Sequence, residues 1–593
     1  MELTGASSPE VAGAGSAGVG AGGTGSADPG SPAAGPSGES GAAARSAAGG
    51  RRRGIPAWTV VSTVVALVVV GPLLALPASF VGEGQAFDEI SRTLLPRALR
   101  NSVLLGVGVG AGTLLVGGGL AVLVSFYDFP GRRWLEWALV LPMAMPAYVL
   151  VFVVLGQYGL ASPLHSNLLG DGFRIPGLRT PGGAIVILTA VLYPYVYVLG
   201  RSAFLGQSRQ AIEAARTLGR TYGQAVRQVA LPLARPALAA GASLAVMEAL
   251  ADFGTVDLLG IQALTSAIYR VWYGTFDQDS ALQLATVLVG LALMMVTVER
   301  ALRGRARYHQ ALGRGDAVAP RPLTGWRRWA APVLPVALLL VVFALPVAQL
   351  AAWAVETVAD GSVDADLARS ARNTLVLGVV AALVAVVTAT VVAYGLRVRR
   401  SRVGMVTSRL ATVGYAVPGT VVAVAVFVPL VSIDRHLARW ADDLLGLDIG
   451  LVFTGTILGL VVAYVVRFHA LAFFAIEARM GRISPNLDDA ARALGADRAR
   501  ILADVHLPLL GPGLLSAALL VLVEVMKELP ATALLRPLGG DTLAITVWEA
   551  TKDTRFDTAA LPALLIVAIG LVPVILLVRL MRTDGWTSAA EQL

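Results

Sequence analysis

Glu213-Ala214-Ala215-Arg216-Thr217-Leu218-Gly219 and Asp489-Ala490-Ala491-Arg492-Ala493-Leu494-Gly495 are two copies of one pattern. Each is followed at the same distance by a Leu-Pro pair, Leu231-Pro232 in the first copy and Leu507-Pro508 in the second. Both stretches are polar, carry arginine, and lie between long apolar runs. The closing glycine permits a sharp chain reversal after a short helix. In the first copy Ile212, Ala215 and Leu218 share a helix face, an apolar stripe suited to a groove on a partner.

The duplication reaches well beyond these stretches. Glu213 and Asp489, Gly219 and Gly495, Pro232 and Pro508, Glu248 and Glu524, and Asp252 and Glu528 all share an offset of 276 residues. Upstream, Arg100-Asn101-Ser102 matches Arg372-Asn373-Thr374, and Pro146 matches Pro418, at an offset of 272. Self-similarity at a nearly fixed offset marks an internal repeat.

The apolar runs between these markers set the class. The chain of 593 residues is 56% hydrophobic and 15% charged, a balance expected of a polytopic membrane protein. Runs long enough to cross a bilayer, which takes about 20 helical residues, lie at about 58–80, 100–126, 134–157, 183–205, 236–259 and 281–302. A second set lies at about 329–353, 373–396, 408–431, 452–475, 512–535 and 558–581. The expectation is an all-α membrane protein of twelve transmembrane helices, arranged as two six-helix repeats. An even number of spans per copy makes the repeats parallel about an axis normal to the membrane, with a pathway between them.

Residues 1–54, rich in Gly, Ala, Ser and Pro, read as a disordered N-terminal tail. They do not read as a signal peptide, because the apolar run follows only after Arg51, Arg52 and Arg53 and is too long. The first repeat then covers 55–305, a connector 306–327, the second repeat 328–585, and a C-terminal tail 586–593. Arginine gives the orientation. It clusters at Arg132 and Arg133, at Arg209, Arg216, Arg220, Arg227 and Arg235, in the connector, at Arg397, Arg399, Arg400 and Arg402, and from Arg479 to Arg500. All of these segments fall on one side, while an alternate segment carries Glu356, Asp360, Asp364 and Asp366. Both termini and both repeated polar stretches are therefore expected in the cytoplasm of a plasma (inner) membrane protein.

Composition also excludes several functions. With no cysteine there is no disulfide framework or thiolate metal site. The formal charge of +8 is distributed as membrane orientation requires, not as a nucleic-acid surface. Lysine occurs only at Lys527 and Lys552, preceded by Met526 and Thr551, so neither completes a phosphate-binding Gly-Lys-Ser/Thr loop. Any ATP hydrolysis must come from another polypeptide, and the chain is expected to be neither an enzyme nor a cofactor carrier.

Charges within the apolar runs mark the candidate path. Glu248 and Asp252 are four residues apart on one helix face, roughly 18–24 Å into the fifth span. Glu524, Lys527 and Glu528 hold the matching place in the eleventh. A charge at mid-bilayer costs about 3 kcal/mol, so a transport path is one reading and an interhelical ion pair, such as Lys527 with Glu524, the other. Tyr193, Tyr195 and Tyr197 in the fourth span are either path donors or packing aromatics. Arg467 either pairs a membrane carboxylate or meets an anion accompanying the substrate. His165, His309, His436, His469 and His506 show no metal-ligand spacing and read as structural.

The Glu/Asp-Ala-Ala, Gly and Leu-Pro spacing resembles the cytoplasmic loop of ATP-binding-cassette importer permeases. The resemblance covers about residues 55–585 and implies a type I importer permease fold. It also implies that Glu213, Ala214, Ala215 and Gly219, with Asp489, Ala490, Ala491 and Gly495, form coupling helices seated in an ATPase dimer at the cytoplasmic face. The second copy departs from the pattern by opening on Asp489, which keeps the charge. Met526-Lys527-Glu528-Leu529-Pro530-Ala531-Thr532, with Ala251-Asp252-Phe253-Gly254-Thr255 in the first half, is similar to the fused ferric-iron permeases. That implies inward transport of Fe3+ or an iron chelate delivered by an extracytoplasmic solute-binding protein. Carboxylate and phenol oxygens suit such a hard cation. The alternatives are a permease of the same type for a phosphonate or another small solute, a secondary transporter, or a membrane scaffold.

Overall fold

The computed structural model describes residues 57–80, 87–158, 178–207, 209–303, 320–361, 363–398 and 402–582. The tails at 1–54 and 586–593, most of the connector, and His165 and His309 lie outside the described residues. The fold is all-α apart from one two-residue strand pair, Tyr127–Asp128 with Arg321–Pro322, running parallel. This pair ties the start of the second half to the first, and nothing in the sequence pattern announces so short a pairing.

Among the described residues, eleven helices are long and apolar enough to cross a membrane, and a bent pair makes up to twelve. In an apolar medium only a helix satisfies every backbone N–H and C=O within its own segment. In the first half Leu95–Phe126, Pro181–Leu205 and Leu231–Ala251 pack against one another. Leu367–Val398, Ile457–Met480 and Leu507–Met526 repeat that triplet in the second. Glycine permits the close crossings. A Cβ at Gly241 would stand 2.7 Å from Val196 Cα, and one at Gly117 would stand 2.9 Å from Val196 Cβ.

The halves are interlocked. The first helix, Ala57–Val70, packs on Leu367–Val398 of the second half. Reciprocally, Leu345–Ala359 packs on Ala147–Tyr158 of the first. Gln278–Arg303 meets Gly419–Leu445, and Phe556–Arg582 meets Ala147–Tyr158.

Four expected spans are not straight helices. The third is Arg132–Ala144 followed by Ala147–Gln157, bent by 88° at Met145-Pro146. Its counterpart ends at Ala411, passes a short 3-10 turn, and restarts at Gly419 after Pro418. The residue before a proline is driven out of helical geometry, and Met145 and Val417 are both extended. The fifth span stops at Ala251 and resumes as Gly254–Leu258, and the eleventh stops at Met526 and resumes as Pro530–Leu535. The expected runs 236–259 and 512–535 therefore each contain a break at their charged residues.

The Leu-Pro pairs do not interrupt their helices. Before each lies one wide turn, Val226–Ala230 and Leu502–His506, in which Leu231 N–H bonds Val226 O and Leu507 N–H bonds Leu502 O. A proline ring crowds the carbonyl four residues back, and the five-residue turn makes room for it.

Candidate functional site

The two repeated stretches form matching helices, Arg209–Thr217 and Pro485–Ala493. Each ends in the same turn. Gly219 and Gly495 have φ of 84° and 83°. Gly219 N–H bonds Arg216 O and Arg220 N–H bonds Ala215 O, at 3.0 and 3.1 Å. Gly495 N–H bonds Arg492 O and Ala496 N–H bonds Ala491 O, both at 3.0 Å. This reversal satisfies the last carbonyls through a left-handed residue that glycine adopts at least cost. Thr221 and Asp497 then cap the next helices, accepting from Gln224 N and Arg500 N.

The apolar stripe of the first helix does not face outward as expected. Ile212 and Ala215 are buried against the chain's own core, next to Tyr222 and Val226. Leu218 alone of the three is exposed, at 83%, and Leu494 matches it at 89%. The stripe anchors the helix, and the surface left exposed includes Glu213, Ala214 and Leu218 in one copy and Asp489, Ala490 and Leu494 in the other. Asp489 also accepts from Arg492 at 2.6 Å.

The second helix is anchored by charge instead. Asp488, in the place of Ile212, takes Arg397 Nε at 2.9 Å and Nη2 at 3.2 Å, and faces His506 Nε2 at 2.8 Å. The same guanidinium donates to Met480 O and Ile483 O at the end of the preceding helix. Burial pushes the Asp488 carboxyl up, but the Arg397 and His506 contacts outweigh it and hold the group below its ordinary value.

At the two helix breaks the halves line a cavity of about 120 Å³ that is partly open to solvent. Glu248, Asp252, Arg467, Glu524, Lys527 and Glu528 all line it, together with Tyr195. Asp252 accepts from Thr255 N at 2.8 Å and Thr255 Oγ1 at 3.1 Å, while Glu528 accepts from Ala531 N at 3.1 Å. Each thus caps the short helix beyond its break. Glu528 also accepts from Arg467 at 2.8 Å, and Lys527 meets Glu524 at 2.7 Å. Both ion-pair alternatives raised from the sequence are therefore present. Glu248 has no hydrogen bond or ion pair among the described residues, which contain no group of three or more His, Asp or Glu able to hold a metal ion.

The three tyrosines divide. Tyr195 lines the cavity, but Tyr193 and Tyr197 are fully buried elsewhere, donating to Leu139 O and Glu136 O at 2.9 and 2.8 Å. Residues four apart share a helix face and the one between them faces away, so the periodicity already separated them. The histidines within the described residues have structural partners: His506 as above, His469 with Thr388, and His436 with Ser432 O.

Gly419 is fixed by the Arg467–Glu528 bridge. A Cβ there would fall on Arg467 Nη1 and Glu528 Oε1. In the first half the residue matching Gly419 is Ala147. Gly419→Ala is expected to force the bridge apart and destabilise the protein by about 2 kcal/mol. Thermal unfolding in detergent measures this, and an unchanged midpoint would mean the bridge has room to spare.

Beyond the cavity, away from the two repeated polar helices, the halves meet again. Tyr269 and Trp548 occupy matching positions in helices Leu264–Gly274 and Leu543–Lys552 and stand edge to face at 5.7 Å. Around them Tyr273 donates to Ala533 O at 2.9 Å, Trp548 Nε1 donates to Asp257 at 3.1 Å, and Lys552 lies 3.5 Å from Asp257. The repeated Asn-Ser/Thr pair holds these helices in place. Asn101 donates to Gln262 O and Ser102 accepts from Leu264 N, while Asn373 donates to Asp541 O and Thr374 accepts from Leu543 N.

Two interlocked halves, a charge-lined cavity between them and a matched pair of protruding polar helices define a multi-pass membrane permease. The chain belongs to the binding-protein-dependent transport system inner membrane component family, whose model matches residues 114–300 and 381–583. It is therefore the membrane subunit of an ATP-binding-cassette importer, and the family implies an ATPase and a binding protein as partners. It is 26% identical over 531 residues to the Fe(3+)-transport system permease FbpB 2 of Haemophilus influenzae, covering 88% of this chain and 98% of the relative. A probable molybdenum transporter permease of Haloferax volcanii is 30% identical over 216 residues, 36% of this chain and 78% of the relative. The sulfate permease CysT of Salmonella typhimurium is 26% identical over 266 residues, 43% of this chain and 95% of the relative.

Proposed function

We propose that this permease moves ferric iron, or an iron chelate, into the cytoplasm by alternating access, driven by an ATPase dimer seated on the two coupling helices. The observation that carries this reading is the acid excess of the cavity. It holds four carboxylates against two cations, and both cations are already paired to carboxylates. Glu248 is left to meet a cation, whereas an oxyanion would find no unpaired positive side chain there. A site without a closed ligand cage suits a path, where binding must be weak enough to release. A relative that spans 88% of this chain is named for Fe(3+), while the molybdenum and sulfate permeases match 36% and 43% of it.

In this reading Glu213, Ala214, Ala215 and Gly219, with Asp489, Ala490, Ala491 and Gly495, face the ATPase in the cytoplasm, and both termini are cytoplasmic. Glu248, Asp252, Tyr195, Arg467, Glu524, Lys527 and Glu528 line the path. The Tyr269–Trp548 contact and its flanking locks are the gate on the extracytoplasmic side, where a binding protein delivers substrate. Growth under limitation tests the substrate. A strain lacking this chain is expected to grow poorly under iron chelation and recover with added iron. Recovery with molybdate or a phosphonate instead would assign an oxyanion to the cavity.

A further inference from the structure

We propose that Tyr148 contacts the substrate, its phenol oxygen supplying a further oxygen donor beside Asp252 to a hard cation in transit. This rests on the reading of the cavity as a cation path. Tyr148 lines the cavity, is only 5% exposed, and its hydroxyl has no hydrogen-bond partner. A buried, unsatisfied hydroxyl is destabilising, and a phenylalanine would fill the same volume without that burden.

The hydroxyl sits among acceptors that are engaged elsewhere. Glu528 and Asp252 are both within electrostatic reach of it. Glu528 is taken by Arg467 and Ala531 N, and Asp252 by Thr255. The ring is held in place: a Cβ at Gly254 would stand 2.7 Å from both Tyr148 Cβ and Leu529 Cδ2. Its position follows from the bend at Pro146, which starts a new helix at Ala147. The second repeat does the same at Pro418, and there Thr420, the counterpart of Tyr148, also has a fully buried hydroxyl with no partner.

Both halves thus leave a hydroxyl unpaired in the first turn after the break. A hard trivalent ion takes oxygen ligands, and a phenol supplies one without a full charge that would trap it. The carboxylates alone do not make up a binding group of three.

The test is Tyr148→Phe in the full complex of permease, ATPase and binding protein, reconstituted in liposomes and supplied with ferric iron on the binding protein. Iron uptake is expected to fall roughly tenfold, with ATP hydrolysis still stimulated. The unfolding temperature should equal or exceed that of the unchanged protein, since the substitution removes an unsatisfied group and keeps the ring. Full uptake with a raised unfolding temperature would make the hydroxyl a tolerated packing defect. Reduced uptake together with a lowered unfolding temperature would make its role structural; either result overturns the proposal. If the unchanged complex carries molybdate and not iron, both this inference and the iron reading fall. If it carries iron and the variant does so equally well, only the role of Tyr148 falls.

Discussion

Replacing Gly219 and Gly495 together with valine is expected to abolish ATPase association while leaving membrane insertion intact. Neither glycine has a neighbour within 4 Å of where a Cβ would sit, so no collision opposes the side chain. The penalty lies in the backbone. Both residues have left-handed φ, where a side-chain-bearing residue costs about 1–2 kcal/mol and a β-branched one more. Valine would drive the chain out of the turn that ends each of the two proposed coupling helices. Leu218 and Leu494, the exposed apolar residues beside the glycines, would then be displaced from the surface offered to the partner. Alanine at both positions should give an intermediate loss. Co-purification of the ATPase with the permease measures the series. Retention with the double valine variant would remove these turns from the coupling surface.

Glu248→Gln is expected to lower iron uptake by roughly a hundredfold at unchanged protein level. The substitution keeps the side chain's size and removes a charge that no cation in the cavity already pairs. At the separations inside such a cavity one unit charge interacts with another by about 4 kcal/mol at an intermediate effective dielectric, enough to account for the loss. Glu524→Gln is the weaker experiment, because it also strands Lys527 and so mixes stability with transport. Radioactive iron uptake in membrane vesicles measures the effect. Full uptake by the Glu248 variant would leave this carboxylate without a part in the path.

The architecture was largely legible in the sequence. Paired glycines, Leu-Pro pairs and arginine clusters are chemical requirements of turns and membrane orientation, so they survive as letters at fixed spacing. The pairings of Lys527 with Glu524 and of Arg467 with a membrane carboxylate were readable from charge and helical spacing. The breaks at Asp252 and Lys527 were not, because an interruption of two or three residues hardly disturbs an apolar run. Those breaks turn Asp252 and Glu528 from isolated membrane charges into helix caps. The inward face of Ile212 and Ala215 is not legible for a related reason. An amphipathic stripe states that a helix is covered on one side, not whether its own chain or a partner covers it. Nothing in the sequence singles out Tyr148, although the match of Pro146 with Pro418 marks its neighbourhood. A proline bend tells where a helix restarts, and only the close approach of Gly254 to Tyr148 tells what the restart presents to the cavity.

The account is tested most directly by iron accumulation in liposomes holding the permease with its ATPase, with iron-loaded binding protein outside. Uptake is expected to require ATP, persist in excess molybdate, and fall about a hundredfold in the Glu248→Gln variant. Uptake that proceeds without ATP, or that molybdate replaces or suppresses, would contradict it.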